Sequence, residues 1–362
     1  MPDDWGNPQE EQRFANETVA LIDKNYRAHF AFSGPDRVRY LNAILTNNMK
    51  DLAVGQGVIS LLLNAQGRIL AEIETFADAE KMFCASYRMI HQTLLKVFDK
   101  YIIMDDVTLT DESDTFGTLA LEGPLAAKIT NELTGSDLAM LSPLGWTEIL
   151  VKSGTSDSSA PIPCRLVKRS GDPASAGEFV VQSKNLEPLW NILQKAAQQH
   201  GGGPMGYKAL SAQRLVQGTP WFGYDFGEKQ IPHEAALESS HISYTKGCYT
   251  GQEIVARTQY LGRLKERTFL AHVDGPPSGP GAKLYSPTFG EQSCGTVLNA
   301  AAAPGGGSDL VAALQIAAAQ CGDVRIGSPD GPELILLPLP YPLPDAPSNA
   351  PRGAQAPQGR MA

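Results

Sequence analysis

The chain has 362 residues, of which 42% are hydrophobic and 19% are charged, and it carries a formal net charge of −9. This length and apolar content predict more than one buried core, and the acidic balance argues against a broad nucleic-acid-binding surface. No apolar run reaches the roughly 18 residues that a membrane-spanning helix needs, and residues 1–5 lack the pattern of a signal peptide. We therefore expect a cytoplasmic protein that does not contact a membrane or bind nucleic acid directly.

Apolar periodicity predicts an α+β unit with antiparallel strands in the first part of the chain. The runs at 58–63 and 68–76 flank Asn64-Ala65-Gln66-Gly67, which is a hairpin signal. In chain order we expect a strand within 17–32, a helix at 37–52, the hairpin, a strand at 81–87, a helix at 91–100 and a strand at 101–109. No dinucleotide-binding loop follows a strand, which favours this arrangement over a doubly wound sheet.

The rest of the chain predicts a second such unit, a small all-β unit and a tail. The second unit has expected strands at 118–121, 147–151, 164–168 and 178–182, and expected helices at 126–133 and 186–199. A further helix is expected at 207–217, after the breaker at 201–204. From Arg267 onward, short apolar runs alternate with Pro/Gly turns, which is typical of a small barrel or sandwich. Residues 341–362 are rich in Pro, Ala and Gly, and we expect them to be disordered.

The segment that carries chemistry is Lys246-Gly-Cys-Tyr-Thr-Gly-Gln-Glu253. Thr250 and Glu253 have capping-box spacing, so we expect Thr250 to cap a helix that stops at Gly262. Cys248 would then lie just before a helix N-terminus and two residues from Lys246, and both neighbours favour a reactive thiolate. In the alternative interpretation Cys248 is a small buried residue in a turn and Lys246 is a surface charge.

Around this motif the sequence is locally basic. Five cations (Lys246, Arg257, Arg263, Lys265 and Arg267) stand against Glu253 and Glu266. This bias suits a small anionic ligand, although a solvated helix face explains it equally well. The five cysteines are scattered without a Cys-x-x-Cys pair, so the sequence predicts no metal site built from neighbouring thiolates.

The Lys246–Glu253 string resembles the signature of the YgfZ family, relatives of the glycine-cleavage T-protein (aminomethyltransferase). Arg214 with Gly218-Thr219-Pro220, and the stretch 231–237, resemble the same superfamily. The resemblance implies a three-domain cloverleaf of GcvT/YgfZ type, with two mixed α/β domains (antiparallel sheets) and a C-terminal β-barrel around a central channel that binds tetrahydrofolate. The implied boundaries are a folate-binding region at 17–265 (17–55 with 201–245, interleaved with 56–200 with 246–265), the barrel at 266–340 and the tail at 341–362.

The resemblance also implies site residues. Cys248 and Lys246 would be the working residues, and the expected folate-binding residues are Arg214, Glu178, Glu234, Tyr249, Gln252 and Arg257. T-proteins place a catalytic aspartate after a strand that corresponds here to 82–87, and this strand and the residues immediately after it hold no carboxylate.

Several functions follow from these residues. The leading prediction is an accessory protein that binds tetrahydrofolate and acts through Cys248 on iron–sulfur assembly proteins or [4Fe–4S] client enzymes. The alternative is a folate-dependent aminomethyltransferase or one-carbon transferase, which the missing aspartate opposes. A folate-binding or docking module with a structural Cys248 is the third, and RNA binding through the basic segment is the weakest.

Overall fold

Three β-sheets organise the chain in the computed structural model, which describes residues 1–152, 160–169, 176–262 and 264–339. In the described residues the α-helices are α1 (Pro8–Glu17), α2 (Arg37–Ile44), α3 (His91–Tyr101), α4 (Ala126–Thr134), α5 (Leu186–Gln199), α6 (Tyr207–Val216), α7 (Glu238–His241), α8 (Gln252–Leu261) and α9 (Ile316–Cys321). The strands are β1 (Ala20–Asp23), β2 (Arg27–Ser33), β3 (Gly57–Leu63), β4 (Ile69–Ala77), β5 (Lys81–Tyr87), β6 (Thr108–Asp111), β7 (Phe116–Glu122), β8 (Trp146–Val151), β9 (Ile162–Lys168), β10 (Gly177–Gln182), β11 (Gly203–Met205), β12 (Glu266–Val273), β13 (Lys283–Tyr285), β14 (Ser293–Ala302), β15 (Ser308–Gln315), β16 (Arg325–Ile326) and β17 (Ile335–Leu336).

The first sheet has the strand order β11-β1-β7-β10-β9-β8. Its pairs are antiparallel except β1 with β11, which run parallel. Because side chains alternate along a strand, Phe179 and Val181 face α5, where they pack with Leu189 and Leu193. Glu178, one position away, therefore faces the opposite side, toward the second sheet.

The second sheet is fully antiparallel and has the order β3-β4-β5-β2-β6. Phe30 and Phe32 on β2 pack with Tyr40 of α2 and Phe98 of α3. The other face of this sheet meets the first sheet, where one contact joins Phe76 with residues of β8, β9 and β10. Arg27 and His29, which lie on the opposite face of β2 from Phe30 and Phe32, are thus enclosed between the two sheets.

The third sheet has the order β16-β13-β14-β15-β12-β17 and packs over its own apolar core with α9. It is a curled antiparallel sheet, and Arg325 of β16 forms an isolated antiparallel bridge with Glu333, just before β17. The expected β-barrel at 266–340 is thus confirmed as a curled half-barrel sheet, and its complete closure stays a prediction.

Local sequence patterns predicted most elements correctly. The β3–β4 hairpin, β5 and α3 are confirmed, whereas the strand expected at 101–109 is wrong. The helix continues to Tyr101 and β6 starts only at Thr108. The apolar residues between them imitate a strand but are exposed, since Ile103 is 81% and Met104 is 91% accessible.

A mixed α/β fold with antiparallel sheets is confirmed. The proposed interleaved domain boundaries stay a prediction, and the sheets group the strands differently: residues 20–23, 116–182 and 203–205 contribute to the first sheet, and residues 27–111 supply the second. The predicted tail at 341–362 lies outside the described residues. In the described part of the chain no helix is both long and apolar enough to cross a membrane.

Candidate functional site

Glu178 of β10 lies at the centre of a buried charge cluster between the first two sheets. Its Oε1 is 3.0 Å from Lys24 Nζ and 3.4 Å from Arg169 Nε. Lys24 Nζ also lies 2.8 Å from Glu122 Oε1. Burial alone would raise the pKa of the Glu178 carboxyl, but Arg169 and then Lys24 outweigh it and lower that pKa to about 2. Glu178 is therefore ionised at neutral pH.

A second carboxylate, Glu74 of β4, continues the cluster on the facing sheet. Its Oε2 lies 2.6 Å from Arg27 Nη2, and its Oε1 accepts a hydrogen bond from Arg169 Nη1. Arg169 thus bridges Glu74 of one sheet and Glu178 of the other. Each buried charge has a partner, which is the condition for keeping charges out of water.

Next to this cluster lies a cavity of about 460 Å³ with aromatic walls. We call it the aromatic cavity; it is lined by Tyr26, Tyr87, Tyr207, Trp221 and Tyr224, with Met1, Asp3, Arg88 and Met89. The ring centre of Trp221 lies 5.7 Å from the ring centre of Tyr26, 6.2 Å from that of Tyr207 and 6.1 Å from that of Tyr224. The walls come from the β1–β2 turn, the end of β5, the start of α6 and the loop after α6.

The aromatic cavity and the charge cluster share residues at their boundary. Burial raises the pKa of the Tyr26 phenol, and Lys24, Arg27 and Glu178 all lie close enough to influence it. The guanidinium carbon of Arg27 lies 5.2 Å from the centre of the Tyr87 ring. A ligand in the cavity would therefore stack on aromatic rings, with the ionised groups of the cluster behind Tyr26 and Tyr87.

Arg214, predicted to contact folate, supports the wall of this cavity from behind. It is buried, forms an ion pair with Asp225, and lies 4.6 Å from the centre of the Trp221 ring. Asp225 also accepts a hydrogen bond of 2.7 Å from the backbone N–H of Trp221. Arg214 and Asp225 together fix the orientation of the indole.

The predicted working residues lie elsewhere, where α2, the β3–β4 hairpin and α8 meet. Lys246 Nζ donates to the carbonyls of Asn42 and Leu45 at the C-terminal end of α2, a favourable place for a cation. Burial lowers the pKa of the Lys246 ammonium to about 8. Cys248 is exposed.

Helix α8 begins differently from the capping-box expectation. Its N-cap is Gly251 at φ 82°, without a side-chain cap, so the prediction that Thr250 caps the helix is wrong. A Cβ on Gly251 would lie 2.6 Å from the carbonyl oxygen of Asn64 in the hairpin turn, so this contact requires glycine. The predicted end of the helix at Gly262 is confirmed.

The remaining predicted folate residues have local structural partners or are exposed. Tyr249 is buried in an apolar cluster, and its backbone N–H donates a hydrogen bond of 3.3 Å to Gln252 Oε1. Glu234 pairs with Arg68 at 3.0 Å and accepts from the N–H of Ile231. Arg257 is exposed on α8. Of the predicted set, only Glu178 and Arg214 lie beside the aromatic cavity.

Sequence reasoning missed the aromatic walls. The five rings are spread from Tyr26 to Tyr224, in separate elements, and only folding brings them together. The one local signal was Trp221-Phe222-Gly223-Tyr224, an aromatic-rich loop directly after the helix that carries Arg214.

Comparisons with known proteins agree with this architecture. The family model described as GCVT N-terminal domain matches residues 3–242, more than half of the chain. An aminomethyltransferase of Lysinibacillus sphaericus is 22% identical over 306 residues, covering 82% of this chain and 80% of the relative. One from Streptomyces avermitilis is 24% identical over 348 residues, covering 94% and 91%. The crystal structure of the glycine cleavage system aminomethyltransferase T from Bartonella henselae superposes with a TM-score of 0.77 at 17% identity, covering 91% of this chain and 88% of that one.

These comparisons correct the leading functional prediction. The iron–sulfur accessory role inferred from the Cys248 motif is wrong, because the similar proteins are aminomethyltransferases. They support the wider T-protein superfamily without confirming the YgfZ-type subfamily. The match over residues 3–242 establishes that this chain belongs to the GCVT N-terminal domain family, and its fold is that of the solved aminomethyltransferase.

Proposed function

We propose that this protein binds tetrahydrofolate in the aromatic cavity and acts as a folate-dependent aminomethyltransferase or one-carbon transferase. The observation that carries the proposal is the aromatic cavity itself, with the ionised Glu178 cluster behind it. The names of the similar proteins support the same reaction class.

The residues present fit a folate. The cavity volume of about 460 Å³ lies within the usual range for small-molecule sites, roughly 300–1,000 Å³. Tyr26, Tyr87 and Trp221 offer flat apolar faces for the ring systems. Arg88, whose side chain is 45% exposed, lies in the wall and forms an ion pair with the exposed Asp114, a partner that the carboxylates of a glutamate tail can replace. Glu178 is not a lining residue, but its charge influences Tyr26 in the wall, and we propose that a ligand reaching past this ring donates its ring N–H groups to Glu178.

The chemistry of the bound folate is to accept a one-carbon unit on its nitrogens. The role of this chain is to stack the ring system, exclude water with the aromatic walls and hold an ionised group at a fixed position. The strand at 82–87 lacks the aspartate of T-proteins, but the adjacent strand β4 carries Glu72 and Glu74, both buried. The structure therefore supplies carboxylates near the place where the sequence showed none.

Binding can be tested by anaerobic titration with tetrahydrofolate, followed by tryptophan fluorescence. Trp221 lines the cavity, whereas Trp5 and Trp190 stack on each other at 5.5 Å elsewhere on the molecule. We expect tetrahydrofolate to quench the tryptophan fluorescence of wild type and of Trp190→Phe, and to quench that of Trp221→Phe much less. Glu178→Gln should weaken binding by about tenfold, the loss of one charge-assisted hydrogen bond.

Activity can be tested by formation of methylene-tetrahydrofolate from an aminomethyl donor. Two results would contradict the proposed site: tetrahydrofolate does not quench the fluorescence of wild-type protein, or it quenches the fluorescence of Trp221→Phe to the same extent. Binding without any one-carbon transfer would leave the folate site and reject the transferase.

The finer predictions from the sequence remain proposals. These are the YgfZ-type subfamily, the cloverleaf around a folate channel, the boundaries at 17–265 and 266–340, the cytoplasmic location and the direct folate contacts of Glu234, Tyr249, Gln252 and Arg257. The local partners of Glu234 and Tyr249 favour structural roles for both.

A further inference from the structure

Three side chains form a continuous hydrogen-bonded path from the surface to the space between the sheets. Ser240 Oγ lies 2.7 Å from His241 Nδ1, and His241 Nε2 lies 3.0 Å from Glu72 Oε1. Ser240 is exposed, whereas His241 and Glu72 are buried. The path therefore connects solvent with the protein interior.

The path has a defined direction in the resting state. Burial raises the pKa of the Glu72 carboxyl, but the hydrogen bond and charge of His241, followed by Arg27 and Arg169, outweigh burial and lower it. An ionised carboxylate only accepts hydrogen bonds. His241 Nε2 is accordingly the donor to Glu72, and when the imidazole is neutral its Nδ1 accepts from the Ser240 hydroxyl.

The outer end of the path reaches a cavity, and the inner end lies close to the wall of another, where Ser86, the residue before Tyr87, donates its hydroxyl to the carbonyl of Glu72. At the outer end, Ser240 and His241 line a cavity of about 240 Å³ together with Gly218, Pro220 and other residues. At the inner end, Glu72 lies close enough to Tyr87 to raise the pKa of its phenol, after the larger effect of burial. Tyr87 is a wall of the aromatic cavity.

The backbone around the imidazole is held in place. Thr46 Oγ1 donates to the carbonyl of His241 at 2.7 Å and itself accepts from the N–H of Leu61 at 2.8 Å. This fixed support limits movement of His241 away from Glu72, as proton transfer along hydrogen bonds requires.

We propose that Glu72, His241 and Ser240 form a proton relay between the inner wall of the aromatic cavity and solvent. The inference rests on the proposed one-carbon transfer and names the residues that would move protons for it. From the state with a neutral imidazole, His241 passes its Nε2 proton to Glu72 while Nδ1 takes the hydroxyl proton of Ser240. A solvent water then reprotonates Ser240 and leaves hydroxide in solvent. The reverse sequence returns a proton from Glu72 to solvent.

The reaction balances without an oxidant or reductant. In an aminomethyl donor, one methylene carries an amino group and a second substituent X. That methylene becomes a bridge between two folate nitrogens. Two kinds of bond break: two N–H bonds of folate, and the two bonds that join the methylene to the amino group and to X. Two new C–N bonds form, and the two protons correspond to those gained by the departing ammonia and HX. The relay exchanges these protons with solvent, so the enclosed site accumulates no charge.

The test is chemical rescue in the full-length protein. His241→Ala removes the imidazole and enlarges the adjacent cavity, so added imidazole can enter. We expect tetrahydrofolate affinity within about twofold of wild type, single-turnover transfer about 100-fold slower, and recovery of about tenfold with imidazole. Ser240→Ala, a change at an exposed position, should slow transfer less and covers the case in which His241→Ala does not fold.

A matched control and a second readout separate a relay from a structural role. His272, whose Nδ1 lies 2.8 Å from Asp309 Oδ1 in the third sheet, is the control, and His272→Ala should show neither slow transfer nor an imidazole effect. Independently of activity, tetrahydrofolate should shift the imidazole ¹⁵N resonances of His241 in wild type, and much less in Glu72→Gln.

The outcomes distinguish the two proposals. Wild type that neither binds tetrahydrofolate nor transfers a one-carbon unit contradicts the proposed function. If wild type transfers a one-carbon unit, three results would overturn the relay. Folded Ser240→Ala and His241→Ala variants could both transfer at the wild-type rate, imidazole could fail to rescue His241→Ala, or tetrahydrofolate could leave the His241 resonances unshifted.

Discussion

Replacing Glu178 by Gln tests whether the buried charge cluster is held together electrostatically. The substitution keeps the size of the side chain and removes its charge. Lys24 would retain Glu122 at 2.8 Å, and Arg169 would retain Glu74, but both lose the carboxylate that they share. Removing one partner of a buried ion pair leaves the other charges poorly compensated.

The expected cost follows from the pKa of Glu178. Folding lowers that pKa from 4.5 to about 2, a change worth about 3 kcal/mol at roughly 1.4 kcal/mol per unit. Because the folded-state pKa is depressed, this contribution is fully present above pH 4.5 and is lost as the pH falls toward 2. The difference in unfolding free energy between wild type and Glu178→Gln should therefore be about 3 kcal/mol at pH 7 and about half of that at pH 3.

Urea unfolding at pH 7 and at decreasing pH, followed by circular dichroism, measures this difference. Glu122→Gln is the matched control, since Glu122 also pairs with Lys24 but at the edge of the cluster, and it should cost less. A loss below about 1 kcal/mol for Glu178→Gln, or a loss that does not change between pH 7 and pH 3, would refute the electrostatic account.

Three predictions concern the Lys246–Glu253 motif. Gly251→Ala should destabilise the protein by more than about 1 kcal/mol in thermal unfolding, because φ of Gly251 is 82° and an added Cβ would contact backbone atoms. Gly247→Ala is the control and should be tolerated, because its Cβ would contact nothing within 4 Å. Because burial lowers the pKa of Lys246 from 10.5 to about 8, wild type should gain about 3 kcal/mol of stability over Lys246→Met between pH 7 and pH 10.5, and a constant difference would contradict this. Exposed Cys248 should be alkylated by iodoacetamide in the native protein faster than buried Cys84, as read by mass spectrometry; equal rates would show that the two thiols are equally accessible.

Much of the fold could be predicted because local patterns and final burial agree. Lys81–Tyr87 alternates as a strand, and the turn Asn64–Gly67 joins β3 to β4 as expected. The prediction failed where apolar residues are not buried, as at Ile103 and Met104, since a pattern argument assumes that apolar residues face a core. The curled, half-barrel form of the third sheet was also out of reach, because the degree of closure depends on pairing between distant strands.

The candidate site was harder to predict, because its residues are far apart in sequence. Glu178 was named through the resemblance, but its partners Lys24 and Arg169 carry no signal until β1 and β9 lie in the same sheet. Glu72 and His241 are 169 positions apart and meet only across the boundary between the second sheet and α7. Contacts of this kind follow from topology, which the sequence of one chain defines only loosely.

The motif that attracted functional interpretation has a structural explanation. Lys246 completes the C-terminal end of α2, and Gly251 allows α8 to approach the hairpin turn, so two residues of the string are fixed by packing. A distinctive sequence motif can reflect close packing between elements as well as a catalytic role. In this protein Cys248 of the motif is exposed, whereas the buried charges lie between the sheets. The groups that folding brings together are paired buried charges, aromatic walls and a hydrogen-bonded path to solvent. Ionic groups are expensive to bury, and their concentration beside one cavity is the strongest indication of where this protein works.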